Sequence, residues 1–208
     1  MNDRGEFITL EGIEGVGKST AVTTVAAVMR SLGRKIVLTR EPGGTPISED
    51  IRRLLLAPES AAMSSTTELL LMFAARAQHL AELIEPALAN GHCVICDRFS
   101  DASYAYQGGG RELDDNLIAQ AEAIVHPHLQ PQLTLLLDAP PEIALARALA
   151  RGASDRFERE RVEFFERVRA SYLKRAARYP QRFCIIDATR DVPDVGASLE
   201  NELRSRFA

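Results

Sequence analysis

No apolar run in this chain approaches the roughly 20 residues that a bilayer-spanning helix needs, which excludes a helical membrane protein. The opening residues, Met1 to Phe7, carry charges and lack an apolar core, so they do not read as a secretory signal and a cytoplasmic location is expected. Cysteine is scarce. Cys93, Cys96 and Cys184 are an odd set of three, which argues against a disulfide framework. An excess of one charge sign is also missing: 25 Lys+Arg stand against 29 Asp+Glu, a formal net charge of −4, which gives no whole-chain reason to bind a nucleic acid polymer or a membrane. Repeats, low-complexity tracts and linkers are absent, and 208 residues fall short of the about 250 at which a single core usually splits, so residues 1–208 are expected to form one domain.

What is present is alternation. Phe7–Leu10, Lys35–Leu38, Cys93–Cys96, Leu133–Leu137 and Phe183–Ile186 are short apolar runs, the signature of parallel strands covered on both faces. Helix-like segments fall between and after them at about 18–31, 47–56, 67–89, 115–125, 141–150, 157–178 and 192–206. The expected fold is α/β, a doubly wound five-stranded parallel sheet flanked by helices. Gly33 and Gly91 mark helix ends, Pro140-Pro141 suits a helix entry, and Pro86 should kink the 67–89 segment or split off its last turn. Cys93 and Cys96 have the C-x-x-C spacing of redox or zinc sites. On a strand, however, i and i+3 face opposite sides, so they read as small core residues. His126-Pro127-His128 reads as a surface turn rather than a metal site.

Gly12-Ile13-Glu14-Gly15-Val16-Gly17-Lys18-Ser19 matches the P-loop pattern between an apolar strand and an amphipathic helix. Glycines let backbone amides curl around phosphate oxygens, Lys18 supplies a point charge, the Ser19 hydroxyl suits magnesium, and the helix that follows adds its positive end. An Asn-Lys-x-Asp base-reading motif, expected of a GTPase, is missing. The aspartate ending the third strand, Asp97, is followed by Arg98 rather than by the second carboxylate of a motor ATPase. Parallel strands share one carboxyl edge, where ligands bind. Arg40, Glu41, Asp97 and Arg98 therefore gather beside the P-loop, as a clamp for an acceptor phosphate would.

Thr39-Arg-Glu-Pro-Gly-Gly-Thr45, the P-loop, Asp97-Arg98-Phe99, Ala105-Tyr-Gln-Gly108, Arg151-Gly152 with Asp155-Arg156, and Ile186-Asp-Ala-Thr189 together resemble the thymidylate kinases of the bacterial type, nearly end to end. The resemblance implies transfer of the ATP γ-phosphate to dTMP with Mg2+, giving dTDP for dTTP synthesis. It implies that Gly12, Glu14, Gly15, Val16, Gly17, Lys18, Ser19 and Thr20 hold the nucleotide phosphates, and that Ser19 and Asp97 serve the metal. Arg40 and Arg98 would hold the acceptor phosphate, with Glu14 at the acceptor's 3′-hydroxyl. Phe73 would stack on thymine and Arg76 would bond its carbonyl; i and i+3 share a helix face, although the Leu-rich setting alone makes Phe73 a core residue. Ser103, Tyr106 and Gln107 would contact the base and sugar, with Ala102 standing where serine is common.

The arginines at 147, 151, 156, 159 and 161 surround Gly152-Ala-Ser. By themselves they read as a solvated helix face. By resemblance, residues 147–160 form a LID in which Arg151 and Arg156 neutralise charge during transfer, Arg147 lies near ATP and Thr189 lies against adenine. Gly15 occupies a position where eukaryotic-type members carry a catalytic arginine, which moves that burden to the LID. The resemblance also implies a homodimer packed through helices, and Leu69–Phe73 are apolar around more of one helix than a single core face requires. The reading from another class is a nucleotide-dependent sensor that keeps the P-loop and has lost transfer.

Overall fold

The computed structural model describes residues 4–150, 152, 156–157 and 160–208. Strand β1 (Phe7–Glu11) leads through the glycine loop into helix α1 (Lys18–Ser31), and β2 (Ile36–Arg40) leads into α2 (Pro46–Leu56). Helices α3 (Ser65–His79) and α4 (Glu85–Ala89) precede β3 (Cys93–Asp97), which is followed by α5 (Ser100–Ser103) and α6 (Asp115–Val125). Then come β4 (Leu133–Asp138), α7 (Pro141–Ala150), α8 (Val162–Arg178), β5 (Phe183–Asp187) and α9 (Val192–Phe207). The five strands form one parallel sheet in the order β2-β3-β1-β4-β5, as the alternating pattern predicts. Each runs one or two residues further toward its carboxyl end than its apolar run, because Glu11, Asp97, Asp138 and Asp187 are polar yet still paired or in register.

Strand alternation divides the apolar side chains between two layers. Ile8, Leu10, Cys93 and Ile95 pack with Val25 and Met29 of α1, Phe165 of α8 and Leu203 of α9. Phe7, Val94, Cys96 and Phe99 pack with Leu80, Ile84 and Leu88. Cys93 and Cys96 thus lie in different layers, and burial pushes both thiols up, that of Cys93 to about 12, the behaviour of inert core residues.

Two helical expectations change. The 67–89 segment begins at Ser65, where Ser64 Oγ accepts the Thr67 amide at 3.2 Å, and it is three pieces. Pro86 has no amide hydrogen for a carbonyl four residues back, and the turn ahead of it widens to a π-helix over Leu80–Ile84. The segment expected at 157–178 is helical only from Val162, because Arg156 and Phe157 turn inward and are buried. A second π-helical stretch, Tyr104–Gly110, continues α5 and packs on α8. His126 is also not on the surface. It is buried, with Nε2 2.6 Å from Ser100 Oγ and Nδ1 3.1 Å from the Leu129 carbonyl. Among the described residues no helix is long and apolar enough to cross a membrane.

Candidate active site

At the carboxyl edge of β1 the chain turns through Gly12, Gly15 and Gly17, all with positive φ. Gly15 is required for space as well as for its φ of +80°, since a Cβ there would sit 1.8 Å from the Ala144 carbonyl oxygen. Helix α7 therefore closes on the loop, and the arginine that eukaryotic-type members carry has no room on this backbone. Lys18, buried at the start of α1, donates to the Gly12 and Ile13 carbonyls at 3.0 and 2.9 Å. Burial and the neighbouring Arg98 lower its ammonium to about 8, against the opposing pull of Asp97 and Glu14. Ser19 and Thr20 are exposed on the first turn.

Arg98 sits at the end of β3 with φ 72°, a left-handed conformation that costs a non-glycine residue of order 1–3 kcal/mol. Its surroundings over-determine it. Nη1 donates to the Gly12 carbonyl at 2.9 Å and the Tyr172 hydroxyl at 3.2 Å, Nη2 donates to Glu14 Oε1 at 2.8 Å, and the guanidinium lies 4.7 Å from the Tyr106 ring centre. Tyr106 donates its hydroxyl to the other Glu14 oxygen at 2.7 Å, so one acid ties the P-loop to both residues. Behind the loop, Glu11 accepts the Phe99 amide and the Tyr172 hydroxyl, each at 2.7 Å, and burial together with Asp101 pushes its carboxyl up to about 8. Arg40 is exposed and paired with Glu49 at 3.0 Å.

These groups border a cavity of about 190 Å³ lined by Glu14, Lys18, Arg40, Asp97 and Arg98. Arg76, Ala102, Ser103, Tyr106 and Gln107 line it as well. Arg76 is buried; its Nε donates to Glu41 Oε2 at 2.6 Å, and its Nη2 donates to the Phe99 carbonyl and Ser103 Oγ, both at 3.2 Å. Its Nη1 is buried without a partner among the described residues, as is Asp97 Oδ1. Both residues line the cavity, and a buried donor and a buried acceptor left without partners there are where ligand atoms belong.

Phe73 departs from its expected place. It is 3% exposed, packs with Leu69, Tyr104 and Ile118, and is not among the cavity's lining residues. Its ring supports Arg76 from behind, 4.5 Å from the guanidinium carbon, while Met72, one residue earlier, lines the cavity. Pattern reasoning also missed Arg52, Leu56 and Phe157, which line the same cavity.

The LID expectations divide. Arg151, Asp155 and Arg159 lie outside the described residues. Arg156 is described, and it is held on the acceptor side rather than against the P-loop: Nη2 donates to Glu68 Oε2 at 2.7 Å and Nε to the Leu55 carbonyl at 3.0 Å. Fully buried Glu68 also accepts from Gln107 Nε2 at 2.8 Å and from Arg111 Nε at 3.3 Å, which with Arg156 draws two segments of the chain onto α3. Arg161 is exposed at the N-terminal cap of α8. Arg147 and Thr189 do come together, with Arg147 Nη1 and Nη2 donating to the Ala188 and Thr189 carbonyls at 2.6 and 3.2 Å.

The residues fit a magnesium-bound polyphosphate. The open Asp97 oxygen and the Ser19 hydroxyl are hard oxygen donors beside a loop of positive-φ glycines and a lysine. Among the described residues no cluster of three or more His, Cys, Asp or Glu side chains offers an alternative cage.

The chain is 58% identical over 199 residues to a thymidylate kinase of Pseudomonas savastanoi pv. phaseolicola, covering 96% of this chain and 95% of that one. It is 58% identical over 206 residues to one from Chromohalobacter salexigens, covering 98% and 97%. The crystal structure of thymidylate kinase from Ehrlichia chaffeensis superposes with a TM-score of 0.79 at 32% identity, over 97% of this chain and 99% of that one. The family model for thymidylate kinase matches residues 10–199, and with this site at the carboxyl edge of its sheet the chain belongs to the thymidylate kinase family.

Proposed function

We propose that this chain phosphorylates dTMP to dTDP with ATP and Mg2+, and that the cavity from Lys18 to Arg76 is where the acceptor sits. The observation that carries the reading is that one cavity is lined by both the P-loop lysine and Arg76, whose Nη1 has no partner among the described residues. In the reaction an acceptor phosphate oxygen forms a bond to the γ-phosphorus, the bond to the β–γ bridging oxygen breaks, and ADP leaves. Little covalent work falls to the protein, so positioning and charge neutralisation dominate.

Arg98, Arg40 and Arg52 hold the acceptor phosphate. Lys18 and the loop amides hold the donor phosphates, and Ser19 and Asp97 would hold magnesium, which when bound would spread the charge of the transferring group. Glu14, already bonded to Arg98 and Tyr106, sets the sugar at the junction. Arg76 Nη1 bonds a base carbonyl over Met72, and Ser103 and Gln107 border the base. Arg147 and Thr189 border the adenine side. Arg151 neutralises charge from the LID, and Arg156 serves there only after leaving Glu68.

A homodimer and a cytoplasmic location belong to the same proposal. Leu70 on α3, 60% exposed, and Leu54 on the neighbouring α2, 50% exposed, are apolar surface that a partner helix would cover. The test of function is a coupled ADP-release assay with dTMP, dUMP, UMP, CMP, AMP or no acceptor. Turnover led by dTMP is expected; a clear preference for UMP or AMP overturns the assignment. Tight ATP binding with no acceptor-dependent turnover would instead mark a sensor.

A further inference from the structure

We infer that His79, through Glu41, is the positioning residue that aims Arg76 at the acceptor base, with Thr39 fixing the orientation of the imidazole. The inference rests on the reading of the cavity as the dTMP site. Arg76 has five N–H donors in a planar fork. Three are taken, by Glu41 Oε2, the Phe99 carbonyl and Ser103 Oγ, and those on Nη1 have no partner among the described residues, on a side chain that lines the cavity. The direction of the open pair is thus set by what grips the rest of the fork, and the shortest of those bonds is the 2.6 Å bond from Nε to Glu41.

Glu41 is itself held from behind. Its other oxygen, Oε1, lies 3.1 Å from His79 Nδ1, and His79 Nε2 lies 2.6 Å from Thr39 Oγ1. Burial alone would raise the Glu41 carboxyl. The adjacent Arg76 and the His79 hydrogen bond hold it below the usual carboxylate range, so it is ionised and accepts from both neighbours. His79 Nδ1 must then carry a proton. His79 is 0% exposed and does not line the cavity, so it acts on a ligand only through Glu41.

The loop is built around this imidazole. Gly44 has φ +92°, and a Cβ there would lie 2.5 Å from His79 Nε2 and 2.6 Å from Thr39 Oγ1. Side chains from α3 and β2 thus fill the space a larger residue would need. Thr45 Oγ1 donates to Ser48 Oγ, which donates to the Ala75 carbonyl, both at 2.8 Å, and this pins the start of α2 to the helix that carries His79 and Arg76.

A guanidinium offers donors only, so a well-aimed Nη1 accepts a pyrimidine with a ring carbonyl and rejects one with an amino group in its place. Loss of the His79 hydrogen bonds should therefore appear as loss of base discrimination. His79→Leu is expected to raise the KM for dTMP about tenfold, with kcat and the KM for ATP each within about threefold of wild type. It should also narrow the ratio of kcat/KM for dTMP over dCMP by a similar factor. His79→Asn, which can still donate to Glu41 from the δ position, should recover most of both losses. Thr39→Val should move both in the same direction by less.

The wild-type dTMP-over-dCMP ratio, measured first, tests the reading of the cavity, and the ratio's change in the variants tests the role of His79. A folded His79→Leu enzyme with wild-type KM for dTMP and wild-type discrimination overturns the proposal. So does a variant that loses kcat and both KM values together with its base preference intact, the mark of a merely structural residue. If circular dichroism shows that His79→Leu does not fold, Thr39→Val is read by the same criteria, and unchanged KM and discrimination there overturn the proposal.

Discussion

The two ends of the active site are built on different principles. At the acceptor end Arg76, Glu41, His79, Ser103, Gln107 and Glu68 are all buried, and each is hydrogen-bonded to the next element before any ligand arrives. At the donor end Gly17, Ser19, Thr20, Arg147 and Thr189 are exposed, and the recognition elements are backbone amides and one lysine. A polyphosphate carries charge that a loop of amides can hold in many poses. A pyrimidine ring differs from its competitors by one or two polar atoms, and only fixed donors tell them apart. The contrast teaches that specificity resides in the rigid half and chemistry in the open half.

Lys18→Ala should give the largest effect. It removes the point charge from the donor end, so turnover should fall about 10²–10³-fold while the KM for dTMP changes little, read by steady-state kinetics with each substrate varied. A KM for dTMP that rises in step with the loss of turnover would mean that the two halves are not separable. Next comes the pair Met72→Ala and Phe73→Ala. Met72→Ala should raise the KM for dTMP about tenfold with the fold intact, because Met72 lines the cavity. Phe73→Ala should instead cost about 3–5 kcal/mol of stability, read by denaturant unfolding, with the KM for dTMP affected less than in Met72→Ala. The opposite pattern would restore Phe73 as the residue against the base.

That pair also shows what sequence could and could not reveal. The five strands were legible because a strand covered on both faces is an unbroken apolar run, and Gly12–Ser19 because phosphate binding demands those residue types in that order. Arg76 was legible for its chemistry, but its neighbour was not. Consecutive residues differ by about 100° around a helix, so i+3 and i+4 neighbours of Arg76 both pass as facing it, and only packing puts Phe73 behind it and Met72 in front. The anchoring of Arg156 was hidden for another reason. Its partner Glu68 lies 88 positions away and carries no local mark, so a run of arginines reads the same whether free or anchored. His79 went unremarked although it shares the Arg76 face at i+3, because a lone histidine in a Leu-rich helix has no signal until Glu41 is folded against it.

The smallest effect, and the finest probe of the contrast, is the pH dependence of nucleotide binding. Lys18 titrates at about 8, below its ordinary 10.5, because it is buried beside Arg98. Below that pH the ammonium is present to meet the donor phosphates; above it the free enzyme must take up a proton in order to bind them. ATP affinity should therefore hold steady up to about pH 8 and then weaken, by at most about tenfold per pH unit for one proton. Since bound phosphates stabilise the charged ammonium, the complex should titrate higher than the free enzyme. Calorimetry in buffers of different ionisation enthalpy would show this as proton uptake on binding at pH 9 and almost none at pH 7. At the acceptor end Glu41 adds no such term, because it is held below the usual carboxylate range, but Glu11, pushed up to about 8 behind the loop, changes charge in the same window. An equal loss of dTMP affinity between pH 8 and 9 that persists in Glu11→Gln would make Lys18 a determinant of both substrates and remove the division of labour.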